Sequence, residues 1–105
     1  MTWIDEYGFT EPLVNMRDHR PRAERLEAEL RREVGPGHPL HGRTWSVVAD
    51  ALPNDDVIVR SGSDVGIVHL TWSRGPERLP WPMTTFVSSP EALTTYVENE
   101  YCWDS

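Results

Sequence analysis

A stretch near the middle of the chain, residues 56–72, constrains the fold more than any other part of the sequence. It reads DVIVRSGSDVGIVHLTW, in which two runs rich in β-branched residues flank a polar turn that contains Gly62 and Gly66. β-Branched side chains fit a pleated surface, and glycine tolerates the positive φ angles of tight turns. The stretch therefore predicts a β-hairpin whose strands are 56–61 and 67–72.

An amphipathic helix is predicted at residues 21–34. It begins with a proline, which is tolerated in the first helical turn, and it stops at Gly-Pro-Gly. Its apolar side chains recur on one stripe that is expected to face a core: Ala23, Leu26, Leu30 and Val34. Arginine and glutamate residues one turn apart are expected to form exposed ion pairs on the outer face: Arg20 with Glu24, Arg25 with Glu29, and Glu27 with Arg31.

Two further strands and a second helix complete the predicted elements. The alternation over residues 44–51 predicts a strand with three apolar side chains on one side: Trp45, Val47 and Ala49. A shorter strand is predicted at 83–87. Ser89 and Pro90 then have the residue types of a helix N-cap and a first helical position, so the second helix is expected to begin there.

The short connections between these elements favour antiparallel strands, because a parallel pair needs a crossover of about a dozen residues or more. We therefore predict an α+β fold, in which an N-terminal-half helix and a C-terminal helix pack on one face of a small antiparallel sheet of three to four strands. Residues 1–105 are expected to form a single domain. Within it, the apolar residues 1–17 are predicted to form an ordered N-terminal arm, and 99–105 an acidic tail.

Charge and cysteine content exclude several classes of function. A formal net charge of −7 argues against nucleic-acid binding, which depends on neutralising phosphates, and it suits a basic protein partner. No apolar run approaches the roughly 20 residues that cross a bilayer, and no leader pattern is present, which predicts a soluble cytoplasmic protein without membrane contact. Cys102 is the only cysteine, and its acidic neighbours disfavour a reactive thiolate, so we assign no catalytic residue.

A histidine cluster is the candidate for metal chemistry. His38, His41 and His69, together with Asp55 or Asp56, supply the imidazole and carboxylate ligands that suit zinc, and three protein ligands would leave an open catalytic position. However, the first two histidines lie in a loop rich in proline and glycine, and their spacing matches no zinc signature. The sequence therefore predicts no metal and no cofactor, with this cluster as the alternative.

The most suggestive binding feature is the loop at 72–82, which three prolines keep non-helical. Protein interfaces favour tryptophan and arginine anchors surrounded by a polar rim. The predicted binding residues are of these types: Trp72, Arg74, Glu77, Arg78 and Trp81. The alternative is that Trp81 covers the edge of the core, since tryptophan is usually largely buried.

Several short motifs carry a resemblance to a known group of proteins. GHPL at 37–40 follows an Arg/Glu-rich helix, DDV begins at Asp55, VHLTW ends at Trp72, and two prolines follow at 80 and 82. Over residues 26–88 this pattern resembles a group of small uncharacterised bacterial proteins, and the resemblance implies no established activity. Immunity proteins, which neutralise a toxin by binding it, are an analogy of size and charge.

The sequence therefore predicts a non-enzymatic, small cytoplasmic protein that acts through a protein–protein surface, such as an immunity-type inhibitor of a bacterial toxin. The alternative is a small metal-dependent enzyme that uses the histidine and aspartate cluster. A basic protein partner would favour the first function, and a bound transition metal would favour the second.

Overall fold

The computed structural model describes residues 3–9, 13–17, 19–51, 56–71 and 82–101. In chain order its elements are α1 (Trp3–Glu6), β1 (Leu13–Asn15), α2 (Arg20–Glu33), β2 (Ser46–Ala51), β3 (Asp56–Ser61), β4 (Asp64–His69), β5 (Thr84–Val87) and α3 (Pro90–Tyr101). The strands form one antiparallel sheet in the order β1-β2-β3-β4-β5. The predicted α+β class is confirmed. The sheet has five strands rather than three to four, because part of the predicted N-terminal arm pairs with β2 as β1.

Strands β3 and β4 form the hairpin that the sequence predicts. Val57 lies opposite Val68 across the antiparallel pair, so both side chains share one face. The turn is shorter than predicted, since only Gly62 and Ser63 lie between the strands. Gly62 has a φ of +60°, which glycine adopts without a steric penalty. As a result β4 begins at Asp64, earlier than the predicted strand, and it ends at His69.

An irregularity in β2 changes which face its side chains occupy. The register with β3 shifts between Val47 and Ala49, as in a β-bulge. Trp45 and Val47 therefore belong to the apolar cluster on one face of the sheet, whereas Ala49 belongs to the cluster on the other face. The prediction that all three side chains share one side was wrong for Ala49, because simple alternation does not include a bulge.

Helices cover both faces of the sheet. On one face, α2 packs Leu26 and Leu30 against valines of β2, β3 and β4, which confirms the predicted stripe. On the other face, α1 and α3 contribute Ile4, Leu93 and Val97 to a second cluster. The prediction of helices on one face only was wrong. Strands β3 and β4 carry apolar residues at successive positions, so each face of the sheet needs its own cover.

Two arginines hold the N-terminal segment against the sheet. Arg17 donates a hydrogen bond to the carbonyl oxygen of Ile4, and its guanidinium lies 5.2 Å from the centroid of the Phe9 ring. Arg60 of β3 forms an ion pair with Asp5 of α1. These contacts fix α1 over the apolar cluster that it shares with α3.

Helix α3 begins at the predicted cap. The backbone N–H of Ala92 donates to Ser89 Oγ at 3.1 Å, and Pro90 is the first helical residue. The helix continues to Tyr101, so the predicted acidic tail begins inside it. Residues 102–105, which include Cys102, lie outside the described residues.

Candidate binding surface

The predicted binding loop lies outside the described residues, but both of its ends are placed. This applies to every predicted binding residue: Trp72, Arg74, Glu77, Arg78 and Trp81. Before the loop, the backbone N–H of Thr71 donates to the two carboxylate oxygens of Glu33, at 2.9 and 3.1 Å. After the loop, the carbonyl oxygen of Pro82 accepts a hydrogen bond from His38 Nε2 at 2.8 Å. Two buried polar side chains therefore fix where the loop leaves and re-enters the fold.

Two of the three candidate histidines, His38 and His69, form hydrogen bonds within the fold. The backbone N–H of Leu40 donates to His38 Nδ1 at 3.1 Å, so Nε2 carries the proton that is donated to Pro82, and neither nitrogen offers a lone pair to a metal. His69 Nδ1 lies 2.8 Å from Asp56 Oδ1, its cross-strand partner. Within the described part of the chain, no three His, Cys, Asp or Glu residues are placed to hold a metal ion. Asp55 lies outside that part.

Glutamates of α2 turn towards the sheet instead of forming the predicted outer ion pairs. Glu27 Oε2 accepts a hydrogen bond from the backbone N–H of Val47 at 2.8 Å. Glu29 is fully buried and pairs with Arg32 at 3.0 Å, not with Arg25. Val47 lies at the register shift in β2, so the carboxylate of Glu27 binds the backbone beside the bulge. Arg31 consequently loses its predicted partner, and it forms no salt bridge with another described residue.

An exposed aromatic side chain marks the end of the sheet. Phe86 on β5 is 51% exposed, and Met83, just before this strand, is 46% exposed; among the described residues these are the large exposed hydrophobic side chains. The Phe86 ring packs over Gly66 of β4, where an added Cβ would lie 3.6 Å from Cδ1. Strand β5 pairs only with β4 among the described strands, so its other edge carries no strand partner there.

Phe86 belongs to a patch of aromatic and basic side chains, which we call the aromatic patch: Arg43, Trp45 and Phe86. The ring centroids of Trp45 and Phe86 are 6.2 Å apart, and the Arg43 guanidinium lies 4.8 Å from the Trp45 centroid. Arg43 is held there by an ion pair with Asp64 at 2.8 Å. Cation–π contact and stacking of this kind keep an arginine extended over an aromatic surface.

Two grooves meet at the aromatic patch. The first, which we call the α2 groove, has a volume of about 250 Å³ and lies between the end of α2 and the loop that precedes β2. Its apolar lining is formed by Leu30, Val34, Leu40 and Trp45. Its basic rim is formed by Arg31, His41 and Arg43. The second groove, of about 570 Å³, includes Arg43 and Phe86. The patch therefore joins two concave surfaces.

Sequence reasoning missed the aromatic patch, although one signal was present. Phe86 and Val87 are adjacent in a short strand, so their side chains must point to opposite faces. Val87 joins the cluster under α3, which leaves Phe86 on the face of α2, beyond the part of that face that the helix covers. The pairing of Phe86 with Trp45, which is distant in sequence, depends on the sheet order.

Comparison with known proteins gives no family for this chain. No protein-family model matches it, and neither curated proteins nor solved structures show significant similarity. Among the described residues, no helix has the length and apolar character required to cross a membrane.

Proposed function

We propose that this chain is a non-enzymatic binding protein that acts through a protein–protein surface centred on the aromatic patch. The observation that carries the proposal is the half-exposed Phe86 on an edge strand. Its ring lies beside the ring of Trp45, and the Arg43 guanidinium lies over the Trp45 ring. Aromatic and arginine side chains dominate the energetics of protein interfaces. Apolar surface that is grouped in one place and rimmed by polar residues is typical of interaction sites.

The predicted binding loop extends the same surface in our proposal. Residues 72–81 belong to the connection between β4 and β5, and β5 carries Phe86. The loop returns to the fold at Pro82, which His38 fixes, so it re-enters beside the edge strand. Trp81 and the loop arginines would then add further anchors to those of the patch.

The net charge of −7 favours a basic partner, because opposite charge accelerates diffusional encounter and disfavours acidic competitors. An immunity-type inhibitor of a bacterial toxin is one role of this kind, and we include it in the proposal. The proposal also includes a cytoplasmic location, which fractionation of the native host would test.

Substitution on the two faces of β5 tests the proposal. Phe86→Ser removes the exposed ring, and Thr85→Ser is the matched control, since Thr85 is also exposed but points to the other face. The full-length protein is immobilised, partners are captured from the native lysate, and the affinity of each captured protein for both variants is measured. We expect at least a roughly tenfold loss for Phe86→Ser only. Equal binding by both variants, with unchanged melting temperatures, would contradict the proposal.

A further inference from the structure

We propose that the α2 groove binds a small monocarboxylate that carries a branched or aromatic apolar group. The proposal does not depend on a protein partner, although the groove adjoins the aromatic patch. It combines two observations: an apolar floor of single-ligand size, and a rim where Arg31 forms no salt bridge with another described residue.

The floor of the groove offers apolar contact. Leu30, Leu40 and Trp45 are 2%, 1% and 5% exposed, so they are rigid parts of the core that show only a small surface to the groove. The Trp45 indole N–H is already donated to the carbonyl oxygen of Leu40 at 3.2 Å. The remaining surface therefore attracts an apolar group by removal of water and by dispersion.

The charge of the rim is positive, in contrast to the molecule as a whole. Arg43 is neutralised in part by Asp64, whereas Arg31 lacks a salt bridge within the described chain. Its predicted partner Glu27 pairs with Arg20 at 3.4 Å and accepts the backbone N–H of Val47. His41 is exposed on the same rim. The guanidinium of Arg31 matches one carboxylate, which it can bind through two parallel hydrogen bonds.

The C-terminal end of α2 is electrostatically unfavourable for a bound carboxylate. The carbonyl end of a helix disfavours an anion, and the groove lies beside that end. Two features reduce the effect: Arg31 and Arg32 occupy the last turn, and the N–H of Val34 caps the carbonyl oxygen of Leu30 at 3.0 Å. A carboxylate that approaches Arg31 from the rim therefore meets the guanidinium first, and the two arginines offset part of the helix dipole.

The volume of the groove selects the size of the ligand. About 250 Å³ is below the range of drug-sized pockets, so the groove accepts a single phenyl or branched alkyl group with its carboxylate at the rim. A ligand of so few atoms has a limited total binding energy, and we expect a dissociation constant on the order of 1 mM.

Titration of the full-length, nitrogen-labelled protein tests the proposal by NMR chemical shifts. The probe is hydrocinnamate, and the matched neutral and cationic probes are hydrocinnamyl alcohol and phenylpropylamine. We expect saturable shifts at the α2 groove with hydrocinnamate, about fivefold weaker binding of the alcohol and no binding of the amine. Arg31→Gln should weaken hydrocinnamate by a similar factor, whereas Arg25→Gln, on the exposed side of the same helix, should leave it unchanged.

Three results would overturn the inference. The first is the absence of saturable shifts at the groove with hydrocinnamate. The second is equal affinity of the wild-type protein for the acid and the alcohol. This comparison needs no variant, so it remains valid if Arg31→Gln fails to fold. The third is about tenfold tighter binding of an acetylated tripeptide that ends in phenylalanine, because the site would then recognise a chain terminus and not a free acid.

Discussion

Two carboxylates of α2 accept hydrogen bonds from backbone N–H groups in and next to the sheet. Glu33 is fully buried, and its two oxygens accept the N–H of Thr71, just beyond the end of β4. Glu27 does the same for the N–H of Val47 at the bulge in β2. A carboxylate of α2 accepts the backbone N–H at both points, since an unpaired buried N–H is costly.

Removal of the Glu33 carboxylate should destabilise the protein. Glu33→Ala leaves the N–H of Thr71 without its acceptor, and we expect the free energy of unfolding to fall by about 1–3 kcal/mol. Glu33→Gln keeps one acceptor oxygen and should cost less. Urea denaturation measures both effects, with Glu24→Ala on the exposed face of α2 as the control. A Glu33→Ala loss no larger than that of the control would show that the hydrogen bond is unimportant.

The histidine geometry leads to a prediction about metal. Because both ring nitrogens of His38 are bonded within the fold, we expect purified protein to contain no stoichiometric zinc and to keep its melting temperature in a chelator. Elemental analysis and thermal unfolding check this. About one metal ion per chain, lost in His38→Ala or His69→Ala, would instead support the enzyme alternative.

At the scale of elements, the apolar stripe of α2 is the main contact between that helix and the sheet. Leu30 is 2% exposed and belongs to the cluster with valines of β2, β3 and β4. Leu30→Ala should lower the free energy of unfolding by about 2–5 kcal/mol, through lost burial and the cavity that remains. Chemical denaturation provides the measurement, and Arg25→Ala on the exposed face is the control. A loss below about half a kcal/mol would contradict the observed packing.

The turn between β3 and β4 leads to a second prediction, which concerns the backbone conformation of Gly62. Gly62 has a φ of +60°, and no atom lies within 4 Å of an added Cβ, so a substitution tests backbone conformation alone. Gly62→Ala should cost about 1 kcal/mol, and Gly62→Asn less, because asparagine tolerates the left-handed region. Gly8→Ala is the matched control: the space around its Cβ is equally open, and its φ lies outside that region. Equal melting temperatures for Gly62→Ala and Gly8→Ala would exclude a role of φ.

The elements that the sequence predicts well are those set by local pattern. The stripe of α2 and the Ser89 cap depend on neighbours within a few residues, and both are observed. The inward turn of Glu27 and Glu33 was not predictable, because the N–H groups that they bind are distant in sequence and only the fold brings them to α2. The bulge in β2 was not predicted for a similar reason, since the register is a property of the strand pair.

At the scale of the whole molecule, charge and apolar surface have different distributions. The chain carries a net charge of −7, whereas the α2 groove and the aromatic patch include Arg31 and Arg43. The acidic remainder is expected to steer a basic partner, and the patch to supply the contact after encounter. The rate of association should therefore fall as salt rises, while the effect of Phe86→Ser should persist at high salt.

The most direct test of the proposed binding function is hydrogen exchange of the full-length protein with and without its captured partner. The account predicts slower exchange of backbone amides at 43–45 and 82–87, together with the connecting segment 72–81. The opposite face, formed by α1 and α3, should exchange at an unchanged rate. Protection confined to α1 and α3, with residues 82–87 unaffected, would contradict a surface centred on Phe86.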